Sequence, residues 1–243
     1  MITTVTAVAL VSVVVLSLSK SQEITANFKC NKTFQNLVLN HGLIFEINRA
    51  SRIHCASSCI ENHLCISFNF HHGTQKCRGY ETLMLTRDAG TYEEGWLYYF
   101  HTINGFCPNM YAFSRLYNYC LGYEGQFLAA DGFHKCHEKG GQLPLIRGEA
   151  EMRFASLLAA NFKNLSRLSN RDLMIQGSFD NTDMKWKDDI KNILPFTVFL
   201  PGNEIPTNTE RYLYLRKPLS LESYVMHHRK GETYKAIVVC MVN

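Results

Sequence analysis

Nine cysteines, arranged in two blocks of different spacing, constrain the fold of this 243-residue chain more than any other feature. The first block contains Cys30, Cys55, Cys59, Cys65 and Cys77, and the second contains Cys107, Cys120, Cys136 and Cys240. Behind a secretory leader, such blocks are typical of disulfide frameworks and not of metal knuckles or redox dithiols. Two frameworks predict two small extracellular modules.

Residues 1–19 predict a signal peptide, because they contain no charged side chain and include an apolar run, Val5–Leu16, of the length of a signal-peptide core. Small residues at Ser17 and Ser19 favour cleavage after Ser19; cleavage after Ser21 or an uncleaved anchor are the alternatives. No later stretch approaches the roughly 20 apolar residues of a spanning helix. We therefore expect a secreted, extracellular chain without a membrane span.

The remaining composition is that of ordinary extracellular domains. The chain has 25 Lys and Arg residues against 21 Asp and Glu residues, a net charge of +4, and neither half holds a basic block. Nucleic acid is therefore not expected as a partner. Sequons predict glycosylation at Asn31 and Asn164. The length suits two domains, which we place at residues 24–102 and 107–243.

The first module is predicted to combine short strands with one helix. Apolar runs favour strands at residues 37–39 and 43–45, and residues 65–70 alternate as a half-buried strand does. A helix is predicted from about Ser51 to Asn62. It places Cys55 and Cys59 four residues apart, on one face.

That face of the helix can be tied twice to neighbouring strands. Cys59 to Cys65 is the short link and Cys55 to Cys77 the long one. Each link restricts the unfolded chain and is worth about 2–4 kcal/mol. A module this small needs such help to hold a core.

These cysteines belong to a longer pattern. Residues 53–77 contain I-H-C-A-S-S-C, then L-C-I-S-F-N-F and a further Cys, and residues 95–100 read G-W-L-Y-Y-F. The pattern covers most of residues 30–100 and resembles the PAN/Apple domain. The resemblance implies a curled antiparallel sheet that cradles one helix, in modules that bind proteins or carbohydrates, and it implies no chemistry.

A metal site is the competing interpretation of this block. Four histidines lie close to it in sequence: His54, His63, His71 and His72. Zinc sites usually need cysteines at tighter spacing, and secretion favours oxidised cysteines. We therefore expect no metal here.

The second module is predicted to open at Cys107-Pro108 with a short loop, ending at Cys120, that looks like an N-terminal hairpin, and to contain two helices. The first helix, from about Phe127 to Glu138, is stopped by Gly140, since glycine readily takes the left-handed cap conformation. The second, Glu149 to Asn161, is amphipathic and has acidic residues in its first turn. Strands are predicted at residues 142–146, 173–175, 212–215 and 236–239.

This order of elements resembles the C-type lectin-like domain along the whole module. The residues that carry the resemblance are Cys107-Pro108, Cys120, Cys136, Gly140-Gly141-Gln142-Leu143, Glu151, Trp186-Lys187-Asp188-Asp189 and Val238-Val239-Cys240. It implies disulfides between Cys107 and Cys120 and between Cys136 and Cys240. The predicted fold class is thus α+β, in two disulfide-stapled modules.

The departures from this family concern its ligand-binding loop. Both partners of the family's inner disulfide are missing, with Tyr212 where one would fall, so we expect a less firmly held long loop. The family binds sugars through calcium, using an acidic-Pro-amide triplet, a nearby Glu and a Trp-Asn-Asp motif. Here Asn203, Glu204, Asn208 and Glu210 resemble the acidic-Pro-amide triplet and the nearby Glu only imperfectly, since the segment has an extra residue.

The third set is absent, because residues 227–231 read H-H-R-K-G, and two cations there would oppose a divalent ion. We expect no standard calcium site and no cofactor. Residues 203–210 are then either a ligand-binding loop or a solvated polar loop. Trp186 is expected in the core, and His227 and His228 at the surface.

The ninth cysteine admits two assignments. Cys30, outside both sets of four, can be a free or intermolecular thiol. Alternatively, Cys30 pairs with Cys107, as in three-bonded Apple domains, and Cys120 is the odd residue. The Cys107-Pro108 signature and the spacing favour the first assignment.

Without a nucleophile, base or metal set, the sequence predicts a non-enzymatic recognition protein that binds a glycan or an extracellular protein. The motifs of serine hydrolases, zinc proteases and phosphate-binding loops are absent, and Asp188 and Asp189 alone do not mark a glycosidase pair. The alternative is a structural or assembly protein of extracellular matrix or mucus, linked through Cys30 into a disulfide-bonded homodimer.

Overall fold

The computed structural model describes residues 27–103, 105–162, 172–206, 212–216, 223–229 and 233–243. The predicted leader, Asn164, Asn208 and Glu210 lie outside the described residues. Among the described residues, none of the helices is long and apolar enough to cross a membrane.

The N-terminal module consists of two antiparallel sheets and one α-helix. Its elements are β1 (Asn27–Cys30), a 3-10 helix (Lys32–Phe34), β2 (Leu37–Leu39), β3 (Leu43–Ile47), α1 (Arg52–Glu61), β4 (Ser67–His71), β5 (Lys76–Tyr80), a 3-10 helix (Arg87–Ala89), β6 (Gly90–Tyr92) and β7 (Trp96–Thr102). The larger sheet has the order β1-β7-β4-β5-β3, and β2 pairs with β6.

Helix α1 forms where the sequence predicts it. The Ser51 hydroxyl caps its start by accepting a bond from the His54 amide at 3.1 Å, which satisfies one of the helix's otherwise unpaired donors. Its inner face buries Cys55, Ala56 and Cys59. Disulfides join Cys55 to Cys77 on β5 and Cys59 to Cys65, so both cysteines of the inner face hold the helix against the sheet.

The C-terminal module is built around one larger sheet. Its elements are β8 (Ala112–Ser114), β9 (Tyr119–Phe127), α2 (Ala129–Glu138), β10 (Gly141–Gln142), α3 (Glu149–Ala160), β11 (Leu173–Asp180), β12 (Lys185–Lys187), β13 (Tyr212–Arg216), β14 (Val225–Arg229) and β15 (Ala236–Val242). The sheet order is β14-β13-β11-β15-β9-β8; β10 pairs with β15, and β12 with β11. Among the pairings between these strands only that of β11 with β15 is parallel, and Phe199 adds an isolated parallel bridge to Met226 on β14.

Helix α2 packs closely on this sheet and is bonded to it. The Cys136–Cys240 disulfide joins α2 to β15. Gly132 permits the close approach, because a Cβ there would come within 2.9 Å of both the Met174 sulfur and a Val238 methyl. Gly140, just after the helix, has a φ of 71°, the left-handed conformation expected for its stop.

The strand expected at residues 142–146 is wrong in extent, since the structure has only the two-residue β10 there. Pro144 has no amide hydrogen and cannot continue a ladder. The chain is instead held by Gln176, whose amide nitrogen and Nε2 donate to the Pro144 and Leu143 carbonyls at 2.8 and 2.9 Å.

The two modules share one continuous apolar core, which contains Leu37, Tyr98, Tyr119, Phe154 and Met241 among other buried residues. Polar contacts tie the modules together as well. At the end of α3, the buried Asn161 accepts the Leu85 amide on its Oδ1 at 3.0 Å and the Thr86 hydroxyl on its carbonyl at 3.0 Å.

Arg115 of the C-terminal module caps α1 of the N-terminal module. Its Nη2 donates to the carbonyls of Cys59 at 2.5 Å, Asn62 at 2.7 Å and Cys65 at 3.2 Å, and its Nη1 donates to that of Ile60. The carbonyls of Cys59, Ile60 and Asn62 belong to the helix end, which carries partial negative charge, and that of Cys65 lies just beyond it. One side chain from the second module thus completes a helix of the first.

Candidate functional site

The loop that would carry a lectin's sugar site is organised around Trp186. This residue lies on β12 and is 6% exposed, so its expected place in the core is correct. Its ring stacks on Phe199 at 5.8 Å and on His228 at 6.1 Å. Its Nε1 donates to the Glu204 carbonyl oxygen at 2.9 Å.

Asn203 and Glu204 are the described half of the predicted ligand loop. The side chains of Trp186 and His228 contact their backbone carbonyl groups and hold them in place. His228 Nε2 lies 3.2 Å from the Asn203 carbonyl oxygen, and the Gly202 amide donates to the Glu204 carboxylate at 3.2 Å. The Glu204 side chain is exposed. Its carboxylate closes a local turn and still faces solvent.

His228 corrects the sequence interpretation, which placed it at the surface with His227. It is 6% exposed on β14, between β13 and the aromatic cluster of Trp186. The His227 ring stacks on that of His228 at 5.6 Å. The adjacent-histidine pattern looks like a polar loop in sequence, and no sequence signal showed that a strand would turn one ring inward.

The described donors do not fit a calcium ion. Such an ion takes about six to eight oxygen ligands. The part of the chain that the structure describes offers Glu204 and Asn203 on the loop, and β14 presents imidazoles instead of carboxylates or amides. Within the same residues, no cluster of three His, Cys, Asp or Glu side chains could hold a metal.

The two aspartates after Trp186 have different environments. Asp188 is buried and structural, since its carboxylate accepts the amides of Ile190 at 3.1 Å and Asn192 at 2.8 Å. Burial raises the pKa of Asp189 to about 6. Sequence reasoning treated the two as equivalent, and their burial distinguishes them.

Cys30 is an exposed free thiol on β1, at the edge of the larger N-terminal sheet. Although the residue is exposed at the surface, partial desolvation by neighbouring groups raises the pKa of the thiol, and a hydrogen bond with Tyr99 opposes that rise. The structure joins Cys107 to Cys120, with a Cα–Cα distance of 5.4 Å. The alternative pairing of Cys30 with Cys107 is therefore not the one in the structure.

Asn31, the predicted glycosylation site, caps the first 3-10 helix. The residue is 9% exposed, and its Oδ1 accepts the Thr33 amide at 3.0 Å. Glycosylation at Asn31 stays a prediction.

An open groove of about 400 Å³ lies at the start of α1 in the N-terminal module. Its lining includes Ser51, Arg52, Ile53, His72, Gln75 and Leu97. The lining contains both hydrogen-bonding and apolar side chains, which suits a sugar ring or an extended peptide better than a purely apolar ligand.

Comparison with known proteins finds a family match for the N-terminal module. Residues 30–99 match the family model of the PAN domain. In the C-terminal module, the Cys136–Cys240 disulfide joins α2 to β15, and this module is the part of the chain for which the sequence predicts a C-type lectin-like domain. Among curated proteins, none matches the chain.

Solved structures that resemble the chain each cover 56% of it. A calcium-dependent type II antifreeze protein in its calcium-free form has 15% identity, a TM-score of 0.45 and 100% of its own chain covered. The C-type lectin domain of murine dendritic cell inhibitory receptor 2, in complex with N-glycan, has 17%, 0.42 and 98%. The calcium-independent C-type lectin SPL-2 from Saxidomus purpuratus has 16%, 0.42 and 93%.

Proposed function

We propose that this chain is a secreted, non-enzymatic recognition protein that binds a carbohydrate or protein ligand without a standard calcium-dependent sugar site. The PAN domain and the lectin-like fold support a binding role. The proposal includes a signal peptide at residues 1–19, domains at 24–102 and 107–243, and no nucleic-acid partner.

The observation that carries the proposal is the arrangement of the Trp186 cluster. Trp186 and His228 hold the backbone of Asn203 and Glu204, and β14 supplies imidazoles where a calcium shell needs oxygens. Recognition then relies on surfaces that need no ion. The groove at Arg52 is the surface we assign to the ligand, because it offers donors, acceptors and apolar contacts together.

A glycan array with the full secreted chain tests this proposal. We expect binding that is equal with calcium and with excess chelator, and that R52A reduces at least tenfold. E204Q is the matched control, since it changes an exposed charge in the loop and should leave binding unchanged. Loss of binding on chelation, or a loss with E204Q alone, would show that the lectin loop is the site.

A second function, assembly of a disulfide-linked homodimer, is favoured by Cys30. Its thiol is exposed on an edge strand, where a second copy has access. We expect a dimer band on non-reducing electrophoresis that disappears with C30S. A monomeric band from the freshly secreted wild-type chain would exclude this function.

A further inference from the structure

A cavity of about 120 Å³ lies in the seam between the two modules, away from both the Trp186 cluster and the Arg52 groove. We call it the seam cavity. Its walls include Leu64 and Ile66 from the N-terminal module and Ser114, Leu116, Tyr117 and Phe154 from the C-terminal module. Neither module forms this space alone.

One wall of the seam cavity is aromatic. The rings of Tyr117 and Phe154 lie 4.9 Å apart, and Tyr117 stacks on Tyr119 at 5.6 Å. The Tyr117 hydroxyl is engaged, because it donates to the Ala150 carbonyl at 3.0 Å. The tyrosine therefore presents ring surface to the cavity, which favours an apolar or aromatic occupant.

Ser114 supplies a polar group without a partner. It lines the cavity, is fully buried at 0% exposure, and its Oγ has no hydrogen-bond partner. A buried hydroxyl normally has a partner, because leaving it unpaired costs free energy. Tyr80 and Thr82 also carry such hydroxyls, but they do not line this cavity.

An apolar occupant suits the space better than water, because most of the lining is apolar. A buried water needs about two to four polar partners. Glu81 and Arg153, the charged residues of the lining, are paired with each other, and the Arg153 side chain is 67% exposed, toward solvent. An apolar cavity of about 150 Å³ can hold benzene, so the seam cavity is close to the size of one small ring.

We propose that the seam cavity binds a small uncharged molecule with an apolar body of about one ring and a single hydrogen-bonding group that pairs with the Ser114 hydroxyl. The apolar body fills the space between Leu64, Ile66 and Phe154. The binding site is independent of the recognition function proposed above, since it shares no residue with the Arg52 groove or the Trp186 cluster.

Phenol and toluene are matched probes, because they differ by a hydroxyl in place of a methyl group. The experiment titrates each into the full, disulfide-bonded chain and follows the NMR signals of the Ile66 and Leu116 methyl groups. We expect both probes to shift these signals. S114A should weaken phenol binding about three- to tenfold, the value of one hydrogen bond, and leave toluene binding unchanged. S156A, at a hydroxyl outside the cavity, is the control variant.

Two outcomes overturn the proposal. One is the absence of shifts at Ile66 and Leu116 with either probe, which would leave the cavity to water or to side-chain motion. The other is an equal effect of S114A on both probes, which would remove the role of the hydroxyl. L64W, at the half-buried edge of the cavity, should abolish the shifts from both probes while the remaining spectrum keeps its folded dispersion. Persistent shifts in L64W place the probes elsewhere and also overturn the proposal.

Discussion

The two modules are closed by disulfides of very different span. In the N-terminal module, both bonds start on α1 and join residues 22 and 6 positions apart. In the C-terminal module, Cys136 and Cys240 are 104 positions apart and enclose α3, the Trp186 loop and most of the sheet. The first module is thus stapled around one helix, whereas the long bond of the second joins α2 to the last strand and encloses the candidate loop in sequence.

The largest expected effect comes from breaking the long bond. In the chain-entropy model a loop of about 100 residues contributes about 4.7 kcal/mol, so C136A/C240A should lose on the order of 4–5 kcal/mol of unfolding free energy. The Cys59–Cys65 bond closes a much shorter loop, so C59A/C65A should lose only about 2–3 kcal/mol of unfolding free energy. Urea denaturation of both variants measures the difference. Equal losses would show that loop length does not set the contribution.

The second prediction tests whether the modules unfold together. Arg115 satisfies four carbonyls around the end of α1, and removing it leaves buried acceptors unpaired. We expect R115M to lose about 3–4 kcal/mol, while R147M, at an exposed arginine, stays within about 0.5 kcal/mol of wild type.

One tryptophan in each module reports on this coupling: Trp96 on β7 and Trp186 on β12. With W186F and W96F as single-tryptophan backgrounds, fluorescence should give one common urea midpoint for the wild-type seam. In R115M the two midpoints should separate. Separate midpoints already with Arg115 present would contradict a cooperative seam.

The third prediction concerns pH at the same seam. His101 is buried, its ring lies 5.4 Å from those of Phe28 and Phe113, and its Nδ1 is 3.3 Å from the Phe113 carbonyl oxygen. Burial, and then the nearby Arg115, lower its pKa to about 4. An unfolded histidine titrates near 6.5, so the unfolded state binds more protons between these values. Stability is therefore full above pH ~6.5 and falls as the pH drops toward 4, by on the order of 3 kcal/mol.

Asp189 has the opposite effect on how stability depends on pH. Its pKa is raised to about 6, so the folded state binds the extra proton, and the penalty for its charge disappears as the pH falls from 6 to 4. Denaturation of wild type, H101Q and D189N at about pH 7 and 4.5 separates the two groups. H101Q should lose less stability on acidification than wild type, and D189N should lose more. An unchanged slope in H101Q would contradict the role of His101.

The elements that cysteine spacing and periodicity define could be predicted from the sequence. Helix α1 begins after its Ser51 cap and ends one residue before the expected Asn62, because capping and the Cys55–Cys59 face are local properties. The seam could not be predicted. Arg115 lies in the four-residue connection between β8 and β9, and its acceptors are at least 50 residues away in the chain. Nothing local distinguishes it from a solvated arginine.

The candidate site, too, could be predicted from the sequence only in part. The absence of a Trp-Asn-Asp motif is visible in the sequence and indicates the loss of calcium ligands. The burial of His228 against Trp186 is a tertiary contact between β14 and β12, so its role in holding Asn203 is visible only in the structure. The sequence therefore predicts which ligands the loop lacks, and the structure shows how His228 and Trp186 hold the backbone of Asn203 and Glu204.

The smallest expected effect is that of calcium on the melting temperature. A ligand that binds only the folded state stabilises it by mass action, so a calcium site would raise the melting temperature in proportion to the logarithm of calcium concentration. Because the Asn203–Glu204 backbone is held by Trp186 and His228, we expect the same melting temperature in 10 mM calcium and in excess chelator. E204Q should also melt within about 1 °C of wild type, since its exposed carboxylate makes one bond to the Gly202 amide. A rise of several degrees in the melting temperature with calcium, absent in E204Q, would show that the C-terminal module binds calcium at this loop. With that outcome, the two modules would differ in calcium binding at this loop as well as in the span of their disulfides.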